Sequence, residues 1–214
     1  MGGLTRPSNI LDDSSIMKET ASPDINQRIA GRVRDLRSAR GQSLETLAQR
    51  SGVSRSMISL IERGESSATA VVLEKLAASL GVSLAALFED SSAPASPVSR
   101  RDDRTSWRDP QSGYVRRNIS PANFPSPIQI VEIVLPAGAK IAYENAARDA
   151  NLQQQVWVQE GSVEVTVGGV THHLSEDDCL AMRLDEPTAY RNRTRKPVRY
   201  LVVVATDRSR ASRR

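Results

Sequence analysis

Apolar residues recur at helical spacing over 25–90 and are interrupted by short turn signals. Ile29, Val33 and Leu36 share one face of a helix predicted over 25–40, with Asp24 as its N-cap and Gly41 as its stop. Arg28, Arg32, Arg34, Arg37 and Arg40 fall mostly on its outer side. Ser43 caps a short second helix with Leu44, Leu47 and Ala48 inward. Gly52 makes the turn Ser51-Gly52-Val53, and Ser54 caps a third helix that turns Ile58 and Ile61 inward and stops at Gly64. A fourth helix is expected over 69–80, and 84–88 closes the bundle. After Tyr114 the period changes to short β-branched runs over 128–135, 156–159, 163–167 and 200–205, and Gly168-Gly169 reads as a hairpin turn. Helices come first and strands follow, so two segregated domains are expected: an all-α unit over 25–90 and an all-β sandwich or small barrel over 114–207. The Ser, Ala, Pro and Arg-rich stretch 91–113 reads as a linker, 1–24 as an N-terminal arm and 208–214 as a basic tail.

Composition sharpens this picture only slightly. Aromatic residues make up 4% of the 214, so the cores must rely on Leu, Val, Ile and Ala. The net charge of +4 is compatible with a polyanionic partner, although Arg208, Arg210, Arg213 and Arg214 carry part of it in the tail. The single cysteine, Cys179, cannot form an intramolecular disulfide. That fits a reducing compartment, and its apolar strand suggests a buried, inert thiol. No apolar run is long enough to cross a bilayer, and Asp12, Asp13, Lys18 and Glu19 interrupt any signal-peptide core, so a soluble cytoplasmic protein is expected.

Two short helices around a glycine turn can present the second one to a DNA major groove. By helical spacing Arg55, Ser56, Ser59 and Leu60 lie opposite Ile58 and Ile61. Arg55 is the candidate for reading bases, since its planar fork can pair two acceptors on guanine. Ser56 and Ser59 permit close approach, and Leu60 could meet a thymine methyl group or pack on a neighbour. Ser43 and Ser54 sit at the positive ends of their helices and suit phosphates, as does the loop carrying Ser66, Ser67 and Thr69. The order Leu44-Glu45-Thr46-Leu47-Ala48, Ser51-Gly52-Val53-Ser54, Ile58-Ser59, Ile61-Glu62-Arg63-Gly64, continued by Leu73, Leu76-Ala77, Leu80-Gly81-Val82 and Leu87, resembles the lambda-repressor-like helix-turn-helix domain of the XRE family. The resemblance implies binding to inverted-repeat double-stranded DNA as a homodimer or higher homo-oligomer. Glu62, in its Glu-Arg-Gly setting, is expected to fold back onto the helical frame rather than oppose phosphate.

The second half carries Pro136-Ala137-Gly138, then Val158-Gln159-Glu160-Gly161-Ser162-Val163-Glu164-Val165, then Asp177-Asp178 and 187–192. This order is similar to the cupin fold, a double-stranded β-helix or jelly-roll barrel. The cupins that bind metal place histidines and a glutamate in two motifs. Here the glutamate position holds Gln154, the segment Arg148-Asp149-Ala150 has no histidine, and the second-motif histidine position holds Thr188. An amide and a hydroxyl replace carboxylate and imidazole poorly, so no metal and no cofactor are expected. His172 and His173 are neighbours on a strand and point to opposite faces. The barrel interior is left as a ligand site, for which Tyr143, Arg148, Gln154, Val156, Met182, Thr188 and Tyr190 are the candidates, with Val158 also inward.

Together these readings describe a non-enzymatic, sequence-specific transcription regulator, a repressor, whose metal-free barrel binds a small-molecule effector. Three alternatives stay open at this level. The barrel could be a metal-dependent cupin enzyme beside a DNA-binding-like helical domain, the helical unit could serve as an interaction module such as an antitoxin, or Arg55 and the barrel residues could be only a solvated cation and a packed core.

Overall fold

The computed structural model describes residues 23–89, 95–144 and 152–206. The basic tail, most of the N-terminal arm and Arg148 lie outside the described residues. Helix α1 (Pro23–Ala39) begins two residues earlier than its pattern suggested, with a proline in the first turn, where a missing N–H costs nothing. Asp24 therefore lies within the helix and is not its cap. Ile25, Ile29, Val33 and Leu36 form the buried stripe. Helix α2 (Leu44–Ser51) is capped by Ser43, whose hydroxyl accepts the Thr46 N–H. Gly52 then takes φ 67°, a left-handed turn that a Cβ would strain. Helix α3 (Arg55–Glu62) is capped by Ser54, and α4 (Ala70–Ser79) by Thr69. A 3-10 turn (Leu84–Phe88) closes the bundle over Leu47, Ile58, Ile61, Leu73 and Leu76, all nearly inaccessible.

Three arginines expected on the outer side of α1 are partly buried and fixed. Arg37 grips Glu62 with two hydrogen bonds of 2.7 and 2.8 Å, Arg32 reaches the Ala86 carbonyl and Glu89, and Arg28 reaches Thr105. Helical spacing placed them off the apolar stripe correctly. It could not show that other elements fold over their stems. Glu62 is folded back, 8% exposed, as its position suggested.

Ten strands follow: β1 (Ser106–Arg108), β2 (Val115–Asn118), β3 (Ile128–Leu135), β4 (Lys140–Tyr143), β5 (Leu152–Glu160), β6 (Val163–Val167), β7 (Val170–Leu174), β8 (Cys179–Arg183), β9 (Thr188–Arg191) and β10 (Val198–Thr206). They form a six-stranded sheet in the order β1-β2-β3-β10-β5-β8 and a four-stranded sheet in the order β4-β9-β6-β7. All pairings are antiparallel, the jelly-roll arrangement of a cupin. Gly168 and Gly169 turn β6 into β7 with φ of 54° and 90°. Inward positions alternate along each strand: Gln154, Val156 and Val158 on β5, and Tyr200 and Val202 on β10.

The expected linker is shorter than its composition suggested, because 106–108 is an edge strand of the larger sheet and Trp107 is 2% exposed. A tryptophan buries a large apolar area, and here it joins the two halves. Its ring meets Phe88 of the helical domain edge-on at 5.3 Å and Tyr114 of the barrel at 5.8 Å. The Arg116 guanidinium lies 5.0 Å from the Phe88 ring centre. Asp109, also buried, accepts the Ala70 N–H at 2.7 Å, so the positive end of α4 is met by a carboxylate from the barrel side. Gln129 on β3 bonds both Ser83 and Glu89. The buried core runs without a break through both domains.

Candidate functional site

The helical surface is built by two caps and one turn. Gly52 sets α3 across the end of α2, and the Ser54 cap leaves the first turn of α3 facing outward. Arg55, Ser56 and Met57 are exposed there, while Ile58 and Ile61 anchor the opposite side. Ser59 and Leu60 are only half-buried. The Ser59 hydroxyl accepts from Arg63, which also clasps Glu65 with bonds of 2.8 Å, so Ser59 is less free than its spacing suggested. Ser43 and Ser54 are exposed, with hydroxyls already on their own helix N–H groups. Ser66 bonds the Met57 sulfur, Ser67 is exposed, and Thr69 serves as the cap of α4. Met57 was not singled out from the sequence, although its spacing from Ser56 and Leu60 placed it on the open side.

The second site is a cavity of about 60 Å³ inside the barrel at its junction with the helical domain. Of the residues expected there, Tyr143, Gln154, Thr188 and Tyr190 line it. Gln154 donates to the Tyr190 hydroxyl at 2.5 Å, and Tyr143 lies 3.5 Å from the Tyr114 hydroxyl. Val156 is wholly buried core and Met182 packs against that core; neither lines the cavity, because both sit farther along the barrel than the open space. The sequence reading missed Tyr114, Arg116 and Tyr200. Tyr114 and Arg116 alternate onto one face, as do Tyr200 and Val202, and that period of two was the available signal. It also missed Glu74 and Leu84, which reach the cavity from the helical domain. No barrel pattern could show that. Burial pushes the phenols of Tyr143 and Tyr200 well above their ordinary range, and that of Tyr114 upward, so all three stay protonated and can donate. A larger depression of about 950 Å³ follows the domain seam, but it is lined largely by loop residues such as Pro97, Val98 and Phe124.

The positions at which cupins carry metal ligands hold the Gln154 amide, tied to Tyr190, and the Thr188 hydroxyl, which donates to the Glu186 carbonyl. These donors do not fit a transition metal. His172 is half-buried and His173 is 76% exposed beside Glu164, so the two do not converge. Cys179 is exposed on the outer face of β8, a correction to its expected burial. It pairs in register with Trp157, which is itself exposed, and strand alternation turns both away from the core.

A helix-turn-helix bundle packed on a cupin barrel defines a class of two-domain protein, and family comparison agrees. Residues 33–87 match the helix-turn-helix family and residues 132–204 the cupin domain family. The chain belongs to the XRE-type helix-turn-helix regulators with a C-terminal cupin domain. It is similar to the HTH-type transcriptional regulator SutR of Escherichia coli K12, at 28% identity over 178 residues, covering 83% of this chain and 94% of that one. It is also similar to the crystal structure of an HTH_3 family transcriptional regulator from Vibrio cholerae, at 28% identity and a TM-score of 0.67, covering 87% of this chain and 99% of that one.

Proposed function

We propose that this regulator binds an operator in double-stranded DNA as a homodimer, acts as a repressor in the cytoplasm, and carries a metal-free barrel that binds a small-molecule effector. The observation that carries the DNA reading is the outward first turn of α3, with exposed Arg55 and Ser56 between the Ser54 cap and the Ile58 anchor. An arginine at the start of a helix lodged in the major groove can pair with guanine, while the Ser43 and Ser54 helix ends and the 66–69 loop meet phosphates. The barrel has no donor set for metal chemistry, which favours an effector site over an enzyme's active site. No helix among the described residues is long and apolar enough to cross a membrane.

The experiment is to sequence DNA fragments enriched by the purified full chain, then compare the parent with Arg55→Ala on the enriched site. Loss of the guanine contact should cost roughly 1–3 kcal/mol and relax preference at one position of each half-site. Equal affinity and equal preference in both proteins would remove Arg55 from the interface.

A further inference from the structure

We infer that the barrel cavity takes a small carboxylate gripped by Arg116, and that the DNA-binding domain is the wall such a ligand displaces. Its consequence for transcription rests on the regulator reading above; the site itself does not.

The cavity is assembled from both domains. Arg116 and Tyr143 come from the barrel, whereas Glu74 comes from α4 and Leu84 from the 3-10 turn. Arg116 is 7% exposed and keeps its charge under all ordinary conditions. Its planar fork matches a carboxylate with two parallel hydrogen bonds, which a point charge or a neutral amide does not reproduce. The buried phenols beside it add donors rather than acceptors. Glu74, 4% exposed, is the one carboxylate that lines the same space. A ligand carboxylate arriving near Arg116 therefore meets one attractive charge and one repulsive one, and the repulsive one belongs to the DNA-binding domain.

Size points to the same wall. About 60 Å³ is the share of roughly two water molecules. Anything larger than acetate must push a wall outward. The barrel walls are continuous hydrogen-bonded ladders, β3 to β10 to β5 on one side and β4 to β9 on the other. The helical wall is held by separate side-chain links, notably Asp109 to Ala70 and Lys75 to Glu144. It is the wall that yields. Because α4 shares one core with α3, its displacement re-aims the surface carrying Arg55.

The test uses the full chain without DNA, so it is independent of the operator assay. Acetate, succinate and benzoate are each titrated by calorimetry against acetamide, succinamide and benzamide. At least one acid should bind about tenfold or more tightly than its amide, and Arg116→Gln, with its melting curve as the folding control, should abolish that preference. Glu74→Gln should tighten acid binding about fivefold, a gain that a damaged fold cannot produce. Succinate or benzoate should also speed hydrogen exchange at the Ala70 amide, since that amide is held by Asp109 across the seam. Failure of all three acids, equal binding of acid and amide, or weaker binding by Glu74→Gln overturns the carboxylate site. Tight binding with unchanged exchange at Ala70 overturns the moving wall. Acid binding in a protein that enriches no DNA leaves this site standing and refutes the operator reading; the converse result does the opposite.

Discussion

At the scale of single residues, burial decides which charged side chains carry stability. Arg37 and Glu62 have side chains 16% and 7% exposed and meet through two bonds, with Arg37 also holding the Gln42 carbonyl. The Glu62 hydrogen bond raises the pKa of Arg37, so the guanidinium remains charged whatever happens to its partner. Glu62→Ala would leave that charge half-buried against α2 and α3, and breaking one side of such a pair costs about 3 kcal/mol. Denaturant unfolding of the variant should show this loss, and an unchanged midpoint would mean that water already solvates Arg37. The nearby Arg63–Glu65 pair is the contrast: both side chains are about half exposed, so removing Glu65 should leave the midpoint where it is. Sequence reading foresaw the inward turn of Glu62 but not its partner. The expected glutamate followed from its place beside Gly64, whereas Arg37 lies 25 residues away on another helix. Local pattern carries no information about such a pairing.

At the scale of elements, legibility followed periodicity. Helices α2 to α4 were legible because Ser43, Ser54 and Thr69 are caps with the bonds their type predicts, and because Gly52 and Gly64 take the left-handed turn that ends a helix. Strands β5 and β10 were legible through alternation. β1 and β2 were not, since three or four residues hold too little of a period and Trp107 sat in a stretch whose composition reads as linker. Cys179 was misread because an apolar strand has two apolar faces here. The outer face of the larger sheet sets Ile130 beside Val203, and Leu201 beside Trp157, on adjacent strands. Trp157 is 43% exposed and Ile128 46% at the same surface. A contiguous apolar face of this kind marks an interaction surface, and it is where we place the second copy of a dimer. Trp157→Asp should halve the mass measured by sedimentation while leaving the fold intact, because the side chain packs on nothing inside its own barrel. A variant that still sediments as a dimer would move the interface elsewhere.

At the scale of the whole molecule, the question is whether two domains of different class behave as two bodies. Composition suggested a flexible tether over 91–113, and a tethered pair would melt and move independently. The structure shows a joint instead. Phe88, Trp107, Tyr114 and Arg116 stack in series from the helical core into the barrel, and Asp109 closes the first turn of α4 from across the seam. Such a joint lets an event in the barrel reach α3 through rigid packing, with each bond on the path weak enough to be broken by a ligand worth a few kcal/mol. It also makes cooperativity measurable. The parent should unfold in a single calorimetric transition, its domains held together by the buried tryptophan. Trp107→Ala removes a side chain that is 2% exposed and that spans the seam, a loss of roughly 3–5 kcal/mol. That loss falls on the coupling and spares both separate cores, so the trace should split into two transitions rather than shift as one. Two transitions already present in the parent would show that the halves are independent, and with them would go the mechanical link between barrel and DNA.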